Sequence, residues 1–155
     1  MNELPLLRSD YHPAIHAFNI RRPGIQSGET YYFETDSGLE YQVTFGRKKD
    51  NYLGNLVNFS IISDDYEDEY SETNEGEPFR VISTMIEIIR IYHEQHPFSN
   101  SYEFSGEFKK KKDNEPISIR TRLYIRAAKQ VVDFRFWEMI HDGNKVILKR
   151  LSQNA

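Results

Sequence analysis

Residues 30–45 read TYYFETDSGLEYQVTF, and this stretch decides the fold class of the chain. Its two aromatic and β-branched runs, residues 30–36 and 39–45, alternate between apolar and polar positions, which is typical of strands with one buried face. Ser37 and Gly38 stand between the runs as a two-residue turn. The stretch therefore predicts an antiparallel hairpin that begins a sheet.

Outward from this hairpin, the same alternation predicts further strands. Residues 46–54 are basic and contain glycine, which indicates a loop after the hairpin. Asp142 and Gly143 form a second strong turn signal near the end of the chain. The additional strands are predicted at residues 55–63, 101–108, 132–140 and 145–148.

Two helices are predicted between these strands. Residues 79–95 (FRVISTMIEIIRIYHEQ) carry apolar residues at three- and four-residue spacing, and Pro97 ends the pattern. Residues 117–130 repeat the spacing in a shorter helix. The polar stripe opposite the apolar residues of the first helix is Ser83, Glu87, Arg90 and Glu94, and further apolar residues widen the face that we expect to be buried. The order β-β-β-α-β-α-β-β predicts an α+β fold with a mostly antiparallel sheet.

Length and composition limit the class of protein. With 155 residues the chain suits a single domain at 30–151, preceded by an irregular segment at 1–29. It has no cysteine, which excludes a disulfide scaffold and a thiol nucleophile. No signal peptide or membrane-length apolar run is visible, so we expect a cytoplasmic protein that has no membrane partner.

Acidic residues are concentrated at residues 64–77. This segment holds eight acids and no base, and removing eight negative charges from a net charge of −4 leaves the rest of the chain at +4. Its spacing does not follow a calcium-binding EF-hand loop. We expect a solvated loop that can serve as a second contact element for a partner.

The strongest functional signal is a set of basic residues on the second helix. Arg122, Arg126 and Lys129 lie at four- and three-residue spacing, which places them on one face. Guanidinium groups bind phosphate and carboxylate groups bidentately, although a plain solvated helix face explains the same pattern. The predicted ligand-binding residues are Arg120, Arg122, Tyr124, Arg126 and Ser105. This predicts a non-enzymatic binding or regulatory protein whose partner is another protein or a phosphorylated small ligand.

A nucleic-acid-binding protein is the first alternative. The lysine run after residue 108, together with the second helix, makes a basic region that contains aromatic residues, and such regions hold single strands by phosphate contact and base stacking. The residues predicted for this role are Lys109, Lys110, Lys111, Lys112 and Lys129, with the arginines of the helix. Homodimer pairing through the hairpin at 132–148 also stays open.

A small hydrolase or nucleotide-acting enzyme is the second alternative. It would use Ser105, Glu103 or Glu107 with an arginine clamp, but no phosphate-binding loop, dinucleotide fingerprint or nucleophile elbow is present. The histidine pairs His12–His16 and His93–His96 have spacings compatible with one metal ion and lack the HExxH form. No cofactor and no metal are expected.

The order of motifs resembles that of a family of small bacterial and phage proteins that have no established activity. The resemblance lies in residues 79–91 (FRVISTMIEIIRI), 104–106 (FSG) and 120–126 (RTRLYIR), and its most specific part is an RxRLYxR-like helix. It covers roughly residues 30–150 and implies the order of elements given above. It implies no catalytic residues.

Overall fold

Seven strands and two helices make up the part of the chain that the structure describes. The structure is a computed structural model, and it describes residues 6–10, 17–24, 29–36, 38, 40–61, 77–105 and 119–151. The elements are β1 Ile20–Arg21, β2 Thr30–Glu34, β3 Glu40–Lys48, β4 Asn51–Ile61, α1 Glu77–Gln95, β5 Ser101–Ser105, α2 Ile119–Val131, β6 Trp137–Asp142 and β7 Lys145–Arg150. The predicted α+β class is confirmed.

One sheet contains all seven strands, in the order β1-β2-β3-β4-β5-β7-β6. Every neighbouring pair is antiparallel except β4 and β5, which are parallel and are joined by a crossover through α1. A parallel pair needs such a long connection, because a tight turn can only reverse the chain. The mostly antiparallel sheet is thus confirmed.

The first hairpin is confirmed, with a longer loop than its turn signal predicted. Glu34 pairs with Glu40, so the loop spans five residues rather than two. Gly38 has a φ of 92° and its N–H donates to the Thr35 carbonyl at 3.0 Å. Glycine is required here because this left-handed backbone conformation is unfavourable for residues with a Cβ atom.

The predicted loop at 46–54 is wrong. β3 continues to Lys48 and β4 begins at Asn51, so these residues form the end of a long hairpin with an irregularity between Arg47 and Lys48. Gly54 marks a close approach between strands rather than a turn. A Cβ atom there would lie 2.8 Å from the Ser101 hydroxyl oxygen and 2.9 Å from the Asn51 amide nitrogen.

The last hairpin begins later than predicted. β6 starts at Trp137, and residues 133–136 form a turn in which the Phe136 N–H donates to the Asp133 carbonyl at 3.1 Å. Asp133 also accepts the Arg135 backbone N–H through its side chain at 3.1 Å, a local bond that competes with strand pairing. Asp142 pairs with Lys145, so the turn residues are Gly143 and Asn144.

Both helices pack on one face of the sheet. Alternate strand residues such as Phe45, Val57 and Phe104 face the helices and are buried. The described residues before β2 join the same core, since Leu6 and Phe18 are also buried. Neither helix in the described part of the chain has an apolar stretch long enough to cross a bilayer.

The polar stripe of α1 is buried at its first two positions. Ser83 and Glu87 are 1% and 7% exposed, because the helix is covered on several sides. A buried carboxylate needs a partner, and Arg90 supplies two bonds to Glu87, at 2.5 and 2.9 Å. Apolar residues cover so much of the circumference of α1 that neighbouring parts of the protein bury most of the helix, including two of its polar positions.

Candidate anion-binding site

The exposed face of α2 is basic. Helix Ile119–Val131 contains no Asp or Glu, and its first turn has no acidic residue. Arg122, Arg126 and Lys129 are all exposed on one face. Among the residues that the structure describes, none forms an ion pair with these three side chains. We call this set the α2 basic surface.

Most other described arginines differ from Arg122 and Arg126, because their guanidinium groups have protein partners. Their partners are Asp10 for Arg8, Glu40 for Arg21, Asp36 for Arg80, Glu87 and Glu94 for Arg90, Asp133 for Arg135, and the Pro97 carbonyl for Arg150. Arg22 and Arg47 are the other two described arginines without such a partner. Within the described chain, the α2 basic surface is thus a local excess of positive charge on one helix.

Tyr124 lies on the opposite face of α2. Its ring is 3% exposed and packs against Phe104, with ring centroids 5.4 Å apart. Ala127, Ala128 and Val131 are buried on the same side. Tyr124 therefore lies apart from Arg122 and Arg126. The buried ring of Tyr124 helps to hold the helix on the sheet.

Ser105 does not lie near the arginines. It ends β5, where strand alternation places it on the same side as Glu103, and α2 packs over the other side through Phe104. Glu103 is in ion pairs with Lys48 at 3.4 Å and Lys145 at 3.9 Å. Within the described residues, the predicted clamp of Ser105 and Glu103 with Arg122 and Arg126 is not assembled.

Several predicted residues lie outside the described part of the chain. They are Lys109, Lys110, Lys111, Lys112, Glu107, the acidic segment at 64–76, and the histidines at 12 and 16. The side chain of Arg120 also lies outside the description, although its backbone belongs to the first turn of α2.

An open groove of about 680 Å³ extends the α2 basic surface at the end of the helix. Lys129 lines the groove together with Arg8, Phe134 and Arg135. Phe134 is 44% exposed, and Arg135 makes two side-chain bonds to Asp133, at 3.0 and 2.8 Å. These bonds hold the pKa of Asp133 below its ordinary value, so that this carboxylate stays charged.

Apart from Lys129, the groove residues were not predicted from the sequence. Arg8 reaches the groove because Leu7 bridges to Val132, a contact between residues that are far apart in the chain. Phe134 and Arg135 were assigned to a strand, whereas the turn at 133–136 exposes them. The only local signal was the Asp133–Arg135 spacing, which is compatible with a side-chain turn bond.

No metal site is visible in the described residues. They contain no group of three or more metal-ligating side chains. The Nδ1 atom of His93 contacts the buried Tyr102 hydroxyl at 2.6 Å, whereas the Nδ1 atom of His96 contacts the Tyr92 carbonyl at 3.0 Å. The two imidazoles thus have separate partners.

No protein-family model, curated protein or solved structure matches this chain. The resemblance to small bacterial and phage proteins stays a prediction. The candidate site is supported by charge and geometry alone.

Proposed function

We propose that this chain is a non-enzymatic binding protein that holds an anionic partner, an acidic protein segment or a phosphorylated ligand, on the α2 basic surface. The observation that carries the proposal is the set of exposed side chains Arg122, Arg126 and Lys129, which have no ion-pair partner among the described residues and lie on a helix without acids. Guanidinium groups that no described carboxylate neutralises are available to bind carboxylate or phosphate oxygens in pairs.

The rigid seating of α2 supports this role. Tyr124, Ala127 and Val131 anchor the helix in the core, and the Thr121 hydroxyl donates to the Asn144 side-chain oxygen at 3.0 Å. The backbone beneath the basic side chains is thereby held in place, which lowers the entropy cost of binding.

A single-stranded nucleic acid is a second candidate partner, favoured by one observation. The exposed Phe134 ring lies in the same groove as Lys129, so a base can stack on the ring while phosphates contact the α2 basic surface. Stacking of this kind is tolerant of sequence and contributes about 1–3 kcal/mol per base.

The experiment is a charge reversal, Arg122→Glu with Arg126→Glu, measured by isothermal titration calorimetry. The probes are a polyglutamate peptide, inorganic pyrophosphate and a single-stranded oligonucleotide. We expect the natural protein to bind at least one probe, and the double variant to bind it at least about tenfold more weakly, which is about 1.4 kcal/mol. Arg22→Glu is the matched control, since Arg22 is exposed, lies away from α2 and has no described partner.

The identity of the bound probe assigns the partner class. Oligonucleotide binding whose affinity falls steeply with salt, and falls further in Phe134→Ala, supports the nucleic-acid candidate. Peptide or pyrophosphate binding supports the first proposal. Unchanged affinity in the double variant, or no binding of any probe at low salt, contradicts a role for the α2 basic surface.

A further inference from the structure

A second concave site lies between the C-terminal end of α1 and the start of β4. Its volume is about 210 Å³, and its walls include Arg47, Tyr52, Asn55, Tyr92, His96 and Phe98. The helix residues Tyr92 and His96 come from one side, and the end of the β3–β4 hairpin comes from the other. None of these residues belongs to the α2 basic surface or its groove.

A column of three stacked rings forms one wall of this pocket. The rings of Phe45 and Tyr92 are 3.9 Å apart and inclined by 3°, and those of Tyr92 and His96 are 4.0 Å apart and inclined by 16°. Phe45 is the buried end of the column and His96 is its partly exposed end. In the described part of the chain, no ring stacks on the other face of His96. A flat ring from a ligand would continue the column there.

Exposed apolar side chains are concentrated at the same place. The described residues include six large hydrophobic side chains that are exposed, and three of them line this pocket: Tyr52 at 79%, Leu53 at 48% and Phe98 at 59%. Scattered exposed apolar residues are ordinary, but a cluster around a pocket marks a binding surface, because its burial by a ligand is favourable.

Hydrogen bonds hold the aromatic wall in position. The Tyr92 hydroxyl donates to the Asn55 side-chain oxygen at 2.7 Å, and the Asn55 amide donates to the Ser101 carbonyl at 3.1 Å. Burial is the main reason that the pKa of Tyr92 rises to about 12, so the hydroxyl keeps its proton at neutral pH and remains a donor. The wall is therefore preformed.

Two polar groups remain for a ligand. The His96 Nδ1–H donates to the Tyr92 carbonyl at 3.0 Å, which leaves Nε2 as the ring nitrogen that faces a ligand. Arg47 is exposed at the rim and has no acidic partner among the described residues. A ligand with an anionic group would satisfy Arg47, and an N–H or O–H group outside the stacked ring would reach Nε2, whose lone pair lies in the imidazole plane.

We propose that this pocket binds a single planar heteroaromatic ring with an attached anionic group, the chemistry of a nucleoside monophosphate. The ring stacks on His96 between Tyr52 and Phe98, and Arg47 binds the phosphate. The pocket is smaller than the roughly 300–1,000 Å³ of sites for drug-sized ligands, so it accommodates one ring system rather than an extended molecule. The site is independent of the anionic partner proposed for α2.

The experiment is a titration of ¹⁵N-labelled protein with each of the four common ribonucleoside monophosphates, followed by NMR. Adenosine serves as the ring without the anion, and ribose 5-phosphate as the anion without the ring. We expect at least one monophosphate to bind with a Kd below about 1 mM and to shift the amide signals of Leu53, Gln95 and Phe98. Adenosine and ribose 5-phosphate should each bind at least about tenfold more weakly than that monophosphate.

Variants locate the binding. Phe98→Ala and Arg47→Ala should each weaken monophosphate binding at least about tenfold, whereas Leu56→Ala and Arg22→Ala should leave it unchanged. All four side chains are exposed, so the fold should persist, which the thermal midpoint of each variant checks.

Three results would overturn the proposal. The first is the absence of monophosphate binding with a Kd below about 1 mM, and the second is equal affinity for either partial probe. The third is that the ligand-induced amide shifts are lost in the Arg122→Glu and Arg126→Glu double variant but kept in the pocket variants. The last result would place the nucleotide on the α2 basic surface.

Discussion

Glu87 shows at the scale of one residue how burial overrides local pattern. It occupies a polar position of a helical repeat, yet it is 7% exposed and depends on Arg90 for neutralisation. Arg90 also contacts Glu94 at 2.6 Å, but Glu94 is largely exposed, so the two carboxylates differ in how much they need the guanidinium. If Arg90 were removed, water could solvate the exposed carboxylate of Glu94, whereas it could not easily reach the buried carboxylate of Glu87.

Arg90→Ala is therefore expected to lower the free energy of unfolding by about 2–3 kcal/mol, since it leaves a buried carboxylate without its partner. Glu94→Ala is the matched control, and it should cost no more than about 0.5 kcal/mol because an exposed pair contributes little. Urea denaturation monitored by circular dichroism measures both values. Adding Glu87→Gln to Arg90→Ala should recover part of the loss, because the uncompensated charge is removed. Equal losses in the two single variants would contradict this account.

The candidate site was predictable in part at this scale. Arg122, Arg126 and Lys129 share a face because helical spacing is a local property, and their exposure follows from the apolar residues opposite them. Spacing places Tyr124 on the face of Ala128 and Val131, but it does not decide whether the ring contacts a partner or the core. A tyrosine suits both an interface and a core, and only its contact with Phe104 decides between them.

Among the secondary-structure elements, the β3–β4 hairpin differs most from its prediction. Glycine in a basic stretch indicates a loop, but Gly46 and Gly54 both lie within strands. Gly46 has open space where a Cβ atom would lie, whereas Gly54 faces the buried Ser101 hydroxyl and the side chains of Lys48 and Asn51. The same residue type thus has different roles at two positions of one hairpin.

Gly54→Ala is expected to destabilise the protein by about 1–2 kcal/mol, because its new methyl group would overlap the Ser101 hydroxyl and the Asn51 amide. Gly46→Ala is the matched variant, and it should be neutral or stabilising by up to about 1 kcal/mol, since the methyl group meets no atom and restricts the unfolded chain. Denaturant titration of both variants measures the difference. If Gly46→Ala were the more damaging change, the close approach at Gly54 would not explain its glycine.

Across the whole molecule, one core connects the sheet, both helices and the described N-terminal residues. Trp137, the only tryptophan of the chain, lies in this core and is 1% exposed. The centroid of its ring lies 5.7 Å from that of His93 and 6.0 Å from that of Tyr102. Phe18 joins the core from before the first hairpin, and its backbone N–H donates to the Thr84 hydroxyl of α1 at 2.8 Å. These contacts tie distant segments into one cooperative unit.

Unfolding is accordingly expected to occur in one transition. Trp137 fluorescence should shift to longer wavelength at the same urea concentration at which the far-ultraviolet circular dichroism of the helices is lost. The two midpoints should agree within the error of the fits. A separate, earlier loss of helical signal would show that the helices and the Trp137 end of the sheet unfold independently.

The sequence by itself determined the α+β class, the first long helix (predicted at 79–95 and found at Glu77–Gln95), both predicted hairpins and the basic face of α2, because each depends on the spacing of neighbouring side chains. Only the tertiary structure decided the parallel β4–β5 pair, the burial of Glu87, the separation of Ser105 from the arginines, and the pocket at His96. These features arise from contacts between residues that are distant in the chain. The periodicity of apolar residues along one segment does not specify which other segment it will contact, and that choice is made by the packing of the whole chain.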